Sequence, residues 1–239
     1  LYAPGQQRLL DQDFFRSRLI DALAIRQAAF DQPFYRLVYG DSDTLPGVVI
    51  DRFGQYLVVQ LNNQGIERYR EPLLAALISE LQPLGILLRG DSRNRREQGL
   101  EESTDVVFGE VPAQVRLEEN GVEFLAPVHE GQKTGWFYDH RMSRARLAPW
   151  VRGKSVLDVY SYIGGWGIQA AAFGAVSVCC LDSSAQALEG VEANARLNGL
   201  ESRVTTRRGS APETMAAMRT EGAQFDVVIL DPPAFIQRK

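Results

Sequence analysis

The chain of 239 residues is 45 % hydrophobic and 23 % charged with a formal net charge of −4, an ordinary composition for one large or two modest globular domains. No apolar run reaches membrane-spanning length and residues 1–30 lack a signal-peptide pattern, which argues against a membrane partner and for the cytoplasm. The acidic balance excludes a protein that coats nucleic acid non-specifically, so an RNA would have to be gripped by a local surface or by a basic module outside the chain.

Residues 1–10, with Pro4 and Gly5, read as a linker. Asp11 or Asp13 then caps a helix whose apolar positions Phe15, Leu19, Ala22 and Leu23 recur at helical spacing through about Phe30, and Pro33 ends it. Strands are predicted at 36–39, 47–50 and 56–61, the last two as a hairpin around Arg52-Phe53-Gly54. Helical spacing returns from Glu67 to Leu81 through Tyr69, Leu73 and Leu77, and Gly85 to Leu88 reads as a further strand. Arg89, Arg93, Arg95 and Arg96 follow, with Glu97, Glu101 and Glu102 beside them. This cluster is either a self-neutralising solvated segment or a contact to RNA phosphate. Asn120-Gly121, between Val115–Glu119 and Val122–Ala126, is the strongest hairpin signal and closes a first α+β domain, 1–126, leaving 127–239 as the second.

The stretch from His129 to Arg141 is dense in histidine, lysine, arginine and aromatic residues and suits a functional loop. His129 and His140 have no Cys or His partners at ligand spacing, so no metal site is expected. A short helix over 141–151 precedes a strand, Val156 to Asp158, that breaks into Gly164, Gly165 and Gly167 before another helix. Such a unit opens backbone and helix N–H groups to a ligand. Position 170 is Ala, so the dinucleotide fingerprint is not met, and Asp158 would repel phosphate but hold a cationic or amine-bearing ligand. A second strand, 176–182, ends in Asp182, where ribose hydroxyls lie at the switch point of a doubly wound sheet; the competing role for Asp182 is a helix cap, although Ser183 and Gln186 already form a capping box. The helix stops at Gly199, 204–207 is a third strand, and a fourth from Phe225 runs into Asp231-Pro232-Pro233-Ala234-Phe235, a rigid turn. Cys179 and Cys180 are neighbours in a strand and read as buried thiols rather than a disulfide.

Asp158-Val-Tyr-Ser-Tyr-Ile-Gly-Gly-Trp-Gly167 resembles the first motif of S-adenosylmethionine (SAM)-dependent methyltransferases in the form used by the ribosomal large-subunit methyltransferase I family. Gln132, Lys133, Thr134, Gly135, Phe137, Asp139 and Arg141 match that family's Gln-Lys-Thr-Gly-x-(aromatic)-x-Asp-x-Arg segment, part of its SAM pocket. The resemblance implies SAM as cofactor, with Asp158, Tyr160, Ser161, Gly164, Gly165, Asp182, Ser183 and Asp231 completing the pocket. Where the family usually has an acid for the adenine amino group, this sequence has Arg208-Gly209-Ser210, which leaves Ser210 for that contact. The implied fold is α/β: an α+β N-terminal domain, related to the RNA substrate, followed by a partial doubly wound, Rossmann-like class I methyltransferase sheet. The implied reaction is methyl transfer to a base of 23S ribosomal RNA, cytosine C5, with Asp231, Pro232 and Phe235 in the catalytic motif and Tyr162, Trp166 and Phe235 as pocket walls. It also implies a PUA-type RNA-binding domain ahead of residue 1 and a nucleophilic cysteine on a later strand beyond residue 239. An RNA-base nitrogen methyltransferase and a non-catalytic RNA-binding fragment are the alternatives; a Rossmann oxidoreductase is argued against by Asp158. A homodimer is compatible with all of these.

Overall fold

The Asp11 carboxylate accepts a hydrogen bond from the Phe14 amide at 2.9 Å and starts α1 (Gln12–Ala29) in the computed structural model, which describes residues 10–91, 93–131 and 134–233. Phe15, Leu19, Ala22 and Leu23 form its buried face, the set that the helical spacing picks out. After it come β1 (Phe34–Tyr39), β2 (Val48–Phe53), β3 (Tyr56–Leu61), α2 (Gln64–Glu67), α3 (Arg70–Leu81), β4 (Gly85–Arg89), α4 (Arg93–Glu97) and β5 (Thr104–Gly109). The strands make one sheet in the order β1-β2-β3-β4-β5, antiparallel except for β3 and β4, which are parallel and joined through α2 and α3. Residues of α1, α3 and the sheet, among them Phe15, Leu37, Ile50, Val59, Leu73 and Ile86, bury one another in a common core. The helix expected over 67–81 is α3, which starts at Arg70 after Tyr69, whose φ −110° and ψ 20° are not helical; the short α2 before it is additional. β5, which is largely exposed, is an additional strand that the sequence pattern does not single out.

The arginine cluster takes neither of its expected roles in full. Arg95 is only 5 % exposed; its guanidinium donates to Glu67 at 2.5 Å and to the carbonyls of Leu61 at 2.8 Å and Glu101 at 2.9 Å. Arg89, also buried, pairs with Asp91 and donates to the carbonyls of Val128 and Gly131 at 2.8 and 2.9 Å. Both are internal braces rather than solvated or phosphate-facing groups. Arg96 is exposed and reaches Glu102 at 3.3 Å, while the side chain of Arg93 lies outside the described residues.

β6 (Gln114–Glu119) and β7 (Val122–Pro127) form a two-stranded sheet across Asn120-Gly121, whose φ values of 56° and 77° are those of the tight hairpin turn that Asn-Gly favours. The 3-10 turn Tyr138–His140 leads to α5 (Arg141–Ala145) and α6 (Ala148–Val151), two short helices where one was expected. Then come β8 (Ser155–Val159), α7 (Gly167–Ala172), β9 (Ser177–Asp182), α8 (Ala185–Leu197), β10 (Val204–Arg208), α9 (Ala211–Thr220) and β11 (Val227–Leu230). The last four strands form a parallel sheet in the order β10-β9-β8-β11. The chain winds outward from β8 to β10 and returns to the other side of β8, which is a doubly wound switch point. By internal packing the chain divides into two compact units, Leu1–Leu117 with Ala126–Asp139 and Glu118–Leu125 with His140–Lys239. Among the described residues no helix is long and apolar enough to cross a membrane.

Replacing Arg95 with Ala strands the two carbonyls and Glu67. It is expected to cost roughly 3 kcal/mol in urea unfolding, whereas Arg96→Ala, an exposed pair, should stay within about 0.5 kcal/mol. Equal small effects would return Arg95 to the surface.

Candidate functional site

Three acids stand at the carboxyl ends of adjacent parallel strands in the second unit: Asp158 in β8, Asp182 closing β9 and Asp231 just after β11. The segment between β8 and α7 bends sharply to serve them. Tyr160 and Tyr162 hold φ values of 63° and 51°, which bulky residues adopt only when the surroundings impose it, and Gly164 follows at 86°. The amides of Tyr160 and Ser161 both donate to the Leu181 carbonyl, and the Tyr162 amide donates to Asp182 Oδ2 at 2.9 Å. The Gly167 amide, at the start of α7, donates to Asp158 Oδ2 at 2.8 Å. A Cβ at 167 would stand 2.5 Å from Cys180 Sγ and 3.0 Å from Asp158 Oδ2, so only glycine lets the helix come this close to the strand.

Asp158 is fully buried, and burial pushes its carboxyl up to about 7; Asp231 and Asp182 push the same way, against the Gly167 hydrogen bond and the Arg144 charge. Its second oxygen, Oδ1, and the buried hydroxyl of Ser161 have no hydrogen-bond partner among the described residues. Buried polar atoms are ordinarily paired, so two orphans beside one glycine loop mark a place for donors from a ligand. Asp182 differs: Oδ1 accepts from the Ser184 amide at 2.9 Å and Oδ2 from Tyr162, which leaves each oxygen a further lone pair. The cap of α8 is Ser184, whose hydroxyl accepts from the Ala187 amide at 3.2 Å, and not the expected Ser183 with Gln186. Ser183 is exposed and its carbonyl accepts from Arg208 Nε. Ser210 precedes α9 with its hydroxyl unused in capping.

Asp231 is held from the side of the loop. The Trp166 indole N–H donates to its Oδ2 at 3.0 Å, His140 Nε2 stands 3.6 Å from the same oxygen, and the His140 and Trp166 rings lie 5.7 Å apart. Arg144 lies over the Trp166 ring at 5.7 Å and forks onto buried Glu119, which also accepts from Gln169 at 2.9 Å. Sequence reasoning passed over His140, Arg144, Glu119 and Gln169 as site residues. His140 lies within the flagged 129–141 segment and Gln169 beside the glycine loop, but single polar residues in separate elements form no motif.

The remaining expected residues divide between the units. Arg141, half-buried, belongs to the second unit, and its carbonyl accepts from Asn120 Nδ2 at 3.1 Å. Thr134, Phe137 and Asp139 belong to the first, where the buried Thr134 hydroxyl donates to Asp51 at 2.5 Å and Asp51 also receives a two-pronged ion pair from Arg36. Gln132, Lys133 and Phe235 lie outside the described residues, and Pro232 is exposed. Cys180 is buried and Cys179 half-buried, both free thiols. Among the described residues no group of His, Cys, Asp and Glu could hold a metal ion.

A family model for S-adenosylmethionine-dependent methyltransferases matches residues 92–239. The chain is 38 % identical over 239 residues to a protein of Shewanella amazonensis named ribosomal RNA large subunit methyltransferase I, and 38 % identical over 235 residues to one of the same name from Aliivibrio fischeri. The alignments cover 98 % and 96 % of this chain but only 60 % and 59 % of those relatives, so the chain spans about three-fifths of their length. Among solved structures it is similar to a putative SAM-dependent methyltransferase from Streptococcus mutans, at a TM-score of 0.85 and 24 % identity over 96 % of this chain and 61 % of that one. A putative methyltransferase complexed with SAH gives the same TM-score at 23 % identity, over 97 % of this chain and 60 % of that one. These likenesses support the Rossmann-like class I methyltransferase sheet expected from the sequence.

The raised Asp158 value sets a pH dependence in the ligand-free protein. Its proton is held more tightly folded than unfolded, so the contribution is complete below about pH 4 and is lost as pH rises to about 7, a span worth roughly 4 kcal/mol. Asp158→Asn, which keeps an acceptor for Gly167, should lie closest to wild type in thermal stability below about pH 4 and exceed it by several degrees at pH 8. Parallel stability profiles would mean that Asp158 is not held neutral.

Proposed function

We propose that this chain, which belongs to the S-adenosylmethionine-dependent methyltransferase family, binds SAM at the carboxyl ends of β8, β9 and β11 and serves the methylation of a 23S ribosomal RNA base, at cytosine C5. The observation that carries the cofactor assignment is the pair of buried acceptors without a hydrogen-bond partner among the described residues, Asp158 Oδ1 and Ser161 Oγ, beside a loop opened by Gly164, Gly165 and Gly167. When bound, SAM supplies an electrophilic methyl group on a sulfonium and brings an ammonium; a cationic ligand fits a mouth ringed by Asp158, Asp182 and Asp231 better than a phosphate does.

The residues divide the binding work by their chemistry. Asp182 has lone pairs left for the ribose hydroxyls, Asp158 is the countercharge, and Ser210 offers a hydroxyl for the adenine edge. Tyr160, Ser161 and Ser183 complete the wall, with Arg141. Asp231 keeps an oxygen for a base amino group while Trp166 and His140 fix the other. Residues 127–239 on this reading hold the cofactor, and 1–126 relate to the RNA.

The ribosomal substrate is supported by the relatives' names, and C5 by the resemblance alone. Carbon 5 of cytosine needs a thiolate attacking C6 to become nucleophilic. Burial raises the Cys179 thiol and raises that of Cys180 further, so both stay protonated near neutrality. Covalent attack therefore draws on a thiol other than these two.

Two measurements test the assignment. In calorimetry with SAM, Asp182→Ala should bind at least about tenfold more weakly, from the loss of hydrogen bonds to a charged group worth roughly 1.5–3 kcal/mol each, and unchanged affinity would remove Asp182 from the site. Labelled methyl groups from SAM, offered with protein-free 23S RNA to the protein as encoded, should be recovered in 5-methylcytidine; label on a ring or exocyclic nitrogen would favour the nitrogen-methylating alternative.

A further inference from the structure

We propose that the segment from His140 to Lys154 is a platform for single-stranded RNA centred on Trp150, an inference that rests on the RNA methyltransferase reading and gives it a substrate surface. The sequence sets this stretch apart: no Asp or Glu occurs between Asp139 and Asp158, whereas Arg141, Arg144, Arg146, Arg152 and Lys154 all do, in a chain of net charge −4. The structure then sorts these cations. Arg144 is spent on buried Glu119, and Lys154 stands 3.9 Å from Asp226. Arg146 and Arg152 are exposed and make no ion pair with the described residues.

Between them Trp150 is 71 % exposed. Met142, Arg146 and Trp150, spaced along α5, the turn after it and α6, are all exposed. Met142 is 61 % exposed. The surface continues beyond α6, where the Val176 amide donates to the Lys154 carbonyl and the Val176 side chain is also exposed. At its other end the segment begins with His140, 3.6 Å from Asp231. The segment thus leads from His140, beside Asp231 at the carboxyl ends of the strands, to Trp150 and Lys154 at the amino end of β8, and an RNA strand that followed it from the site would meet cations and an open indole.

The chemistry favours unpaired RNA over other occupants. An indole face stacks on any base that is not already stacked, and guanidinium groups on either side suit the phosphates of the same strand. A duplex offers no open base face in mid-helix. A second copy packed about a two-fold axis would bring Arg146 and Arg152 against their own counterparts, and an apolar protein partner would have to desolvate both. The arginine cluster that the sequence offered for this role is unsuitable, because Arg95 is internal.

The test is binding of a fluorescein-labelled single-stranded oligoribonucleotide of about ten residues, followed by anisotropy across a salt series. Each variant is first checked for wild-type SAM affinity and thermal stability, and Trp150→Phe, which keeps a ring, accompanies Trp150→Ala should the latter unfold. Trp150→Ala should weaken binding at least about fivefold, the lower end for loss of one base stack, with Trp150→Phe retaining most of it. Arg146→Ala with Arg152→Ala should lower the log–log salt slope by about 1.4. Trp150→Ala binding as well as wild type would overturn the proposal, as would equal affinity for a duplex. A change in sedimentation with RNA affinity unmoved would assign the face to self-association instead. RNA binding lost in the variants while wild type binds no SAM would leave the platform standing and remove the cofactor site.

Discussion

A carboxylate taken out of water at the end of β8 is the constraint around which the second unit is arranged. Ionised Asp158 would be costly in that position, and only one of its oxygens is satisfied within the described residues, by the first amide of α7. That contact demands that helix and strand nearly touch, which demands glycine at 167, and it demands that the chain reverse within a few residues. The reversal is obtained by placing Tyr160 and Tyr162 in left-handed geometry, a strain of about 1–3 kcal/mol each. Hydrogen bonds from the loop amides to Leu181 and Asp182 offset it. The second strand therefore braces the loop of the first, and the acid that braces it is the acid proposed for the ribose.

A second layer keeps this loop in register. Glu119 and Arg144 are both buried and would each be strongly unfavourable alone; forked together, with Gln169 on Glu119 and Asn120 on Gln169, they close a polar circuit. Arg144 also backs the ring of Trp166, whose N–H holds Asp231. Asn194 donates to the Ile163 carbonyl and accepts from the Leu125 amide, and Asn198 accepts from Glu123. These side chains explain why the hairpin tip Glu118–Leu125 groups with residues 140–239, although by chain order it belongs to the first half.

Features encoded by local period or turn chemistry were legible in the sequence: the α1 face, the Asn-Gly hairpin, the strand–glycine–helix unit and the acids at the ends of β8, β9 and β11. What escaped was set by tertiary partners. β5 shows no buried alternation because it is an edge strand in contact with β4 alone. α9 buries only Ala211 and Met218, too few positions to mark a period. The α8 cap fell one residue later than expected because Asp182 takes the Ser184 amide and leaves the Ser184 hydroxyl for Ala187. The site residues carried by motifs could be named in advance, while His140, Arg144, Glu119 and Gln169 could not, since nothing local ties them to Asp231.

Arginine shows why charge counted along a sequence is a poor guide to where charge acts. Arg89, Arg93, Arg95 and Arg96 crowd together and invite a phosphate, yet two of them lie inside, where a planar five-donor group satisfies several carbonyls at once. Their acidic neighbours Glu97, Glu101 and Glu102 would in any case weaken the field outside. Arg146 and Arg152 are spread more thinly, but both are exposed and form no ion pair with the described residues. Net acidity and RNA recognition are then compatible. In this reading three carboxylates, Asp158, Asp182 and Asp231, gather where a cationic cofactor neutralises them, and the face offered to a polyanion is a stretch that carries arginines and a lysine and no carboxylate of its own.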